Sequence, residues 1–322
     1  MATEVAVRRP GLDVDRARGL LQEYGVYAAV VILLLVNAAW TDNFLTTSNM
    51  RVQVEQMVPV LVVALGMALV IGTEGIDLSV GAVIALGSAA IPLYVGYGAG
   101  LAIVAAIVVG ALAGLANGLM IAFAGVQPIV ATLALMIGLR GLAVIINGAS
   151  AKSVLNPFID DIGTGQWLGI PQMAYYGAAL VVIVAFLVRR TTFGRQLVAI
   201  GDNRAASRLA GLPVRRVLIT VYVLSGLFAA IAGVMLVGYG SYADPSNLGL
   251  NYELSAITAV VVGGTPLSGG KVRVIGTVAG AILMQLISAT LIQHDIKASY
   301  EQMVEAAIII VAVYVARGRS GR

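Results

Sequence analysis

Cysteine is absent from the chain, and histidine occurs once, at His294. The first absence excludes disulfides, iron–sulfur clusters and thiolate zinc sites. The second excludes any His-paired metal motif. Charge is scarce as well: Asp, Glu, Lys and Arg make up 11% of the 322 residues, against about 25% in a soluble domain. With 59% hydrophobic residues and a mean hydropathy of +0.95, too little polar surface remains to cover a water-soluble fold. There is also no polar stretch long enough for a separate soluble domain, the longest being the first 23 residues. Glycine, by contrast, is abundant: 38 residues without a collagen-like period, a content that suits closely packed membrane helices. The net charge of +4 does not indicate nucleic acid, because the positive residues cluster around the apolar runs.

The chain therefore reads as an all-α polytopic membrane protein. Apolar runs fall near 24–40, 55–72, 77–97, 100–124, 126–147, 173–189, 214–240, 251–265, 274–293 and 300–316. About 20 residues at 1.5 Å each cross the hydrocarbon core, so ten transmembrane helices are expected. Basic residues stay on the cytoplasmic side. Arg8, Arg9, Arg16 and Arg18 precede the first run, seven arginines lie in 189–216, and Arg317, Arg319 and Arg322 close the chain. Even numbers of spans separate these three groups, which places both termini and the 190–215 loop in the cytoplasm. No A-x-A site follows Trp40, so the first run is read as a retained helix and not as a cleaved signal. GxxxG spacings at Gly110/Gly114, Gly114/Gly118 and Gly276/Gly280 predict tight helix crossings.

Among the polar features, Asp202 or Asn203 can cap a helix whose Ala205, Ala206, Leu209 and Ala210 share one face, and Gly211 with Pro213 ends it. Arg204 and Arg208 flank that face. Two turns of helix are not stable alone in water. Either a partner protein holds the apolar face, or the helix lies on lipid or packs on its own spans. Glu74 and Asp77 interrupt an apolar stretch, where a charge at the membrane centre costs about 2.5–3.5 kcal/mol. Asp77, followed by Leu78 and Ser79, fits the N-terminus of the next helix or the wall of a polar cavity. Asn117, Gln127, Thr132, Arg140 and Asn147 fall on the fourth and fifth helices. They line a route for a hydroxyl-rich solute or bond neighbouring helices, and Arg140 has the further option of reaching the outer interface. Glu301 and Glu305 share a face of the last helix.

Two motifs mislead. Gly269-Gly270-Lys271 looks like the end of a phosphate-binding loop, yet Thr265 stands where its first glycine belongs and Val272 replaces Ser or Thr. Leu267-Ser268-Gly269-Gly270 matches the signature of ABC ATPases without any nucleotide-binding domain around it. The segment reads as a glycine-rich turn. For an intramembrane enzyme, His294 lies at a helix end with no G-x-S-G motif, and Ala199 breaks the G-x-G-D pattern. No catalytic, cofactor-binding or metal-binding set is expected.

Four blocks in order, Gly75–Gly81, Gln127–Leu133 with Arg140-Gly141, Phe193–Gly211 and Glu253–Gly270, resemble the membrane permease of bacterial ABC importers for monosaccharides, the ribose, xylose and galactofuranose type. Tyr222–Gly233 and Asp244–Gly264 lean toward the galactofuranose-type member. The sequence departs from the family at Asp202, where the family commonly has a Gly-Asn pair, and at Lys271, where it has a neutral residue. The resemblance implies a permease domain over 24–317 between cytoplasmic tails at 1–23 and 318–322, with an inverted repeat relating helices 2–5 to helices 7–10. It implies a second permease copy, a separate ABC ATPase that carries ATP and magnesium, and a periplasmic sugar-binding protein. All would act at the bacterial inner membrane, in contact with lipid. It also identifies Asp202, Asn203, Arg204, Ala205, Ala206, Arg208, Leu209, Ala210 and Gly211 with a coupling helix that inserts into the ATPase. The candidate pathway then comprises Asp77, Ser79, Asn117, Gln127, Thr132, Arg140 and Glu253. The competing expectation is a stand-alone ion-coupled transporter or channel, for which Glu74, Asp77, Glu253 and Glu305 are the ionisable candidates.

Overall fold

A computed structural model describes residues 12–296 together with 300, 302–304, 306–308 and 310, with side chains from residue 24 onward. Most of the run at 300–316, including Glu301 and Glu305, lies outside the described residues. So do Arg8, Arg9, Arg317, Arg319 and Arg322, and the side chains of Arg16 and Arg18.

The chain runs through α1 (Leu12–Trp40), α2 (Thr47–Gly72), α3 (Val80–Tyr94), α4 (Ala99–Ala122), α5 (Pro128–Asn147), α6 (Pro157–Thr164), α7 (Gln172–Arg190), α8 (Thr192–Asp202), α9 (Arg204–Leu209), α10 (Val214–Gly240), α11 (Tyr252–Val262) and α12 (Val274–Gln293). Two short antiparallel ladders decorate one end. β1 (Lys152–Ser153) pairs with β4 (Tyr242–Ala243), and β2 (Gln166–Trp167) pairs with β3 (Ile170–Pro171). The ends of the helices follow local chemistry. Thr46 caps α2 by accepting from the Asn49 amide, Pro128 opens α5, and Gly148 closes it in the left-handed conformation, as expected of helix starts and stops.

Seven of the described helices, α2, α3 with the 3-10 turn that extends it to Tyr97, α4, α5, α7, α10 and α12, are long and apolar enough to cross a membrane. The apolar run at 251–265 becomes an 11-residue helix, α11. At 1.5 Å per residue that helix covers only about 17 Å by itself, so a crossing there also uses the non-helical backbone beside it. α1 is 29 residues long, and its apolar part includes Tyr24–Trp40.

The core is built around α2, α3 and α10. Nearly every residue from Val58 to Gly72 is buried, and α3 is buried from Val80 to Ile91. Around this centre, α4, α5 and α7 expose apolar residues such as Leu112, Ile137, Ile145, Val182 and Phe186. That pattern is what a lipid-facing helix requires, since only the inward face needs protein neighbours. α4 and α10 cross closely: a Cβ on Gly114 would overlap the Tyr222 carbonyl, and one on Gly226 would overlap the Gly110 carbonyl. The GxxxG row at 110–118 thus lets two backbones approach.

Two places break the helical rule. After α2, residues 73–79 run without helix before α3 begins, and after α10, residues 241–251 do the same before α11. The two breaks meet: the space beside Gly81 is filled by the Gly249 carbonyl and the Glu253 carboxylate. Irregular backbone inside a membrane protein is tolerated where protein or a cavity surrounds it.

Candidate functional site

The first break places Asp77 in the interior, 1% exposed. Its Oδ1 accepts from the Ser79 amide at 3.0 Å and the Ser79 hydroxyl at 2.6 Å, and its Oδ2 accepts from the Ser225 hydroxyl of α10 at 2.7 Å. Asn117 of α4 donates to the Ser79 hydroxyl at 2.8 Å. Thr132 of α5 reaches the Ile76 carbonyl at 3.2 Å. A buried carboxylate is tolerable only when its oxygens are hydrogen-bonded, and here three donors meet that condition. Asp77 closes a turn at the start of α3, and it is the hub of a polar cluster joining the 73–79 segment to α4 and α10. The Asn117 Oδ1 and the Tyr222 hydroxyl, both buried, have no hydrogen-bond partner. Glu74, three residues before Asp77, is exposed with φ +63°.

Arg140 and Glu253 occupy the second break. Arg140 donates to the carbonyls of Pro245 and Leu248, at 3.0 and 2.8 Å. It thus caps the backbone of the 241–251 loop. Glu253 stands in the first turn of α11, and its Oε2 has no hydrogen-bond partner. The two charges face one another across Gly81. Of the sequence-selected pathway residues, Asp77, Ser79, Asn117 and Thr132 come together in one cluster, and Arg140 and Glu253 form a second. Gln127 joins neither; it is exposed at the start of α5.

The arginine-rich end carries the other feature. The 192–209 stretch is two helices: α8 is amphipathic, and α9 follows after a one-residue break at Asn203. Asn203, not Asp202, is the cap, accepting from the Ala206 amide at 2.9 Å; Asp202 ends α8. Ser207 ties α9 back by donating to the Ala199 carbonyl at 3.0 Å. Ala205, Ala206, Arg208, Leu209, Ala210 and Gly211 all face outward, and Leu209 is 91% exposed. Among the described residues, none covers this apolar face.

Sequence reasoning missed several polar groups. Ser225 and Tyr222 escaped notice because a serine or tyrosine within an apolar run carries no positional signal until the facing carboxylate is known. At the opposite end, Gln285 of α12 donates to Gln53 and Gln56 of α2 at 2.8 and 3.2 Å, and Gln293 donates to Asn49 at 3.0 Å. This amide ladder would have been legible as Gln and Asn recurring at helical spacing in 49–56. Arg51 pairs with the buried Glu55 at 2.7 Å and also donates to the Thr164 carbonyl.

The family described as "Branched-chain amino acid transport system / permease component" matches residues 53–313. The ribose import permease protein of Escherichia coli K12 is 36% identical over 301 residues, covering 92% of this chain and 94% of the relative. The galactofuranose transporter permease protein of the same organism is 37% identical over 259 residues, covering 80% and 76%. A fructose import permease protein of Bifidobacterium longum is 34% identical over 300 residues, covering 88% and 84%. No solved structure matches the chain.

Proposed function

The chain belongs to the family of transport-system permease components, and on that premise we propose that it is the membrane subunit of an ATP-driven ABC importer for a monosaccharide, working by alternating access. The relatives that cover most of its length are named for ribose, galactofuranose and fructose, which supports a hydroxyl-rich cargo. Two permease copies would enclose the path, a periplasmic sugar-binding protein would deliver the sugar, and ATP with magnesium would be used in a separate ATPase. No step of that hydrolysis calls for a catalytic group in this chain.

The observation that carries the reading is the bare apolar face of α9, with Leu209 almost fully exposed beside Arg208 and in line with the arginines that begin α10. Exposed apolar groups rimmed by charge mark a protein contact. The Asp202–Gly211 stretch is accordingly the coupling helix. Both termini and this loop lie on the cytoplasmic side of the inner membrane, in line with the basic residues they carry. The succession of long helix, non-helical return and short helix, in α2–α3 and again in α10–α11, supports an inverted repeat relating α2–α5 to the chain from α10 onward. The pathway would run past the two breaks, with Asp77, Ser79, Asn117 and Thr132 at one level and Arg140 and Glu253 at another.

The test is affinity purification of the tagged chain from its native membrane. An ATPase should co-purify and be lost with Leu209→Asp or Arg208→Glu, while the chain itself still inserts. A chain that purifies alone and moves solute into liposomes without ATP would overturn the importer and favour the ion-coupled transporter.

A further inference from the structure

Arg204 differs from its neighbours in the coupling helix. Ala205, Ala206, Arg208 and Leu209 are exposed, whereas Arg204 is half-buried and turns inward. Its Nη2 donates to the Thr73 carbonyl at 3.2 Å, and its Nε is buried. Thr73 is the residue at which α2 stops. The last carbonyls of a helix have no partner within it, and cations stabilise that end of the dipole. At α2 the Val70 and Ile71 carbonyls accept from the turn that follows, whereas Gly270 donates its amide to the Gly72 carbonyl at 3.1 Å and Arg204 takes the next carbonyl. Gly201, at the end of α8, packs so closely here that a Cβ would overlap the Gly72 carbonyl. Four residues beyond Thr73 lies Asp77, hub of the buried polar cluster.

We propose that Arg204 is a positioning residue for transport, one that fastens the coupling helix to the C-terminal end of α2 and so makes the 73–79 segment move with it. The proposal rests on the coupling-helix reading above. Leu209 and Arg208 meet the ATPase; Arg204 faces away from it and hands the displacement to the segment that holds Asp77. A charge-assisted hydrogen bond to a buried carbonyl suits this task, because leaving that carbonyl bare is costly. The helix and the end of α2 therefore stay in register instead of sliding past each other.

The experiment uses the complete complex in proteoliposomes, with D-ribose as the probe sugar and a preparation of the unchanged chain read first for co-purified ATPase and for uptake. Absence of the ATPase or of uptake there would count against the proposed function and is separable from the behaviour of any variant. Given a working complex, Arg204→Ala should keep the ATPase and hydrolyse ATP within about twofold of the unchanged complex, while uptake falls about tenfold or more. Arg204→Lys, whose ammonium can reach the same carbonyl, should recover most of that loss. The chain lacks cysteine, so a single Met57→Cys in α2 reports directly on that helix. Its labelling rate should change on ATP binding in the unchanged background and stay constant with Arg204→Ala. Uptake within about twofold of normal for Arg204→Ala would overturn the proposal. So would loss of ATPase binding in that variant, which would make Arg204 a docking residue.

Discussion

The 73–79 segment and the α8–α9 loop are both interruptions between membrane spans, and they solve the problem of polar groups in opposite ways. In the first, the polar atoms turn inward and satisfy one another: Asp77 is held by Ser79 and Ser225, and Asn117 and Thr132 tie the segment to α4 and α5. In the second, α8 buries Leu197 and Ile200, α9 is held by the Asn203 cap, Ser207 and Arg204, and the face that carries Leu209 is left pointing out. Asp77, hydrogen-bonded at both oxygens within the protein, needs no second molecule to hold it. The second segment leaves Leu209 bare, as the proposed docking of an ATPase requires. Changes in the first should therefore be felt as stability, and changes in the second as association.

Asp77→Ala offers the largest break in that contrast. It strands the hydroxyls of Ser79 and Ser225 in the interior and should destabilise the chain by about 3 kcal/mol, seen as a lower thermal midpoint in detergent. A midpoint equal to that of the unchanged chain would mean that the cluster does not hold the segment. Gly114→Ala should cost about 2 kcal/mol by forcing α4 away from α10, and the same melting measurement reads it. Asn203→Ala removes only the cap of α9, worth about 1 kcal/mol, and hydrogen exchange at the Ala206 amide should speed up without change elsewhere. Leu209→Asp sharpens the comparison from the other side. Its effect on the midpoint should stay within about 0.5 kcal/mol, while ATPase co-purification and uptake are lost. A melting loss at Leu209 as large as at Asp77 would erase the distinction.

Length and hydropathy were enough to place α2, α4, α5, α7, α10 and α12, because twenty apolar residues have few alternatives in a membrane. The glycine row at 110–118 was legible for the same reason, small residues at one helical face. The short α11 was not, since an apolar run between two turns looks like a span whether or not its whole length is helical. Asp77 was found as a residue but not as a hub. Its partners Ser79 and Asn117 were also picked out, yet Ser225 sits 148 positions away, and no local pattern joins a carboxylate to a hydroxyl at that distance. The inward turn of Arg204 was hidden by its neighbours: in a run of arginines beside a small helix, only the Thr73 carbonyl distinguishes it.

α1 packs chiefly on α12, through Val26 against Ala279 and Leu283, and through the Asn37 amide donating to the Thr290 hydroxyl at 2.8 Å across 253 residues. A ribosome adding about 5–20 residues per second reaches the second partner roughly 10–50 s after the first. For that interval Asn37 has only its own helix to bond, through the Leu33 carbonyl and the Thr41 hydroxyl. The first span to be made is thus among the last to be seated. Assembly of this protein begins at its N-terminus and closes there too.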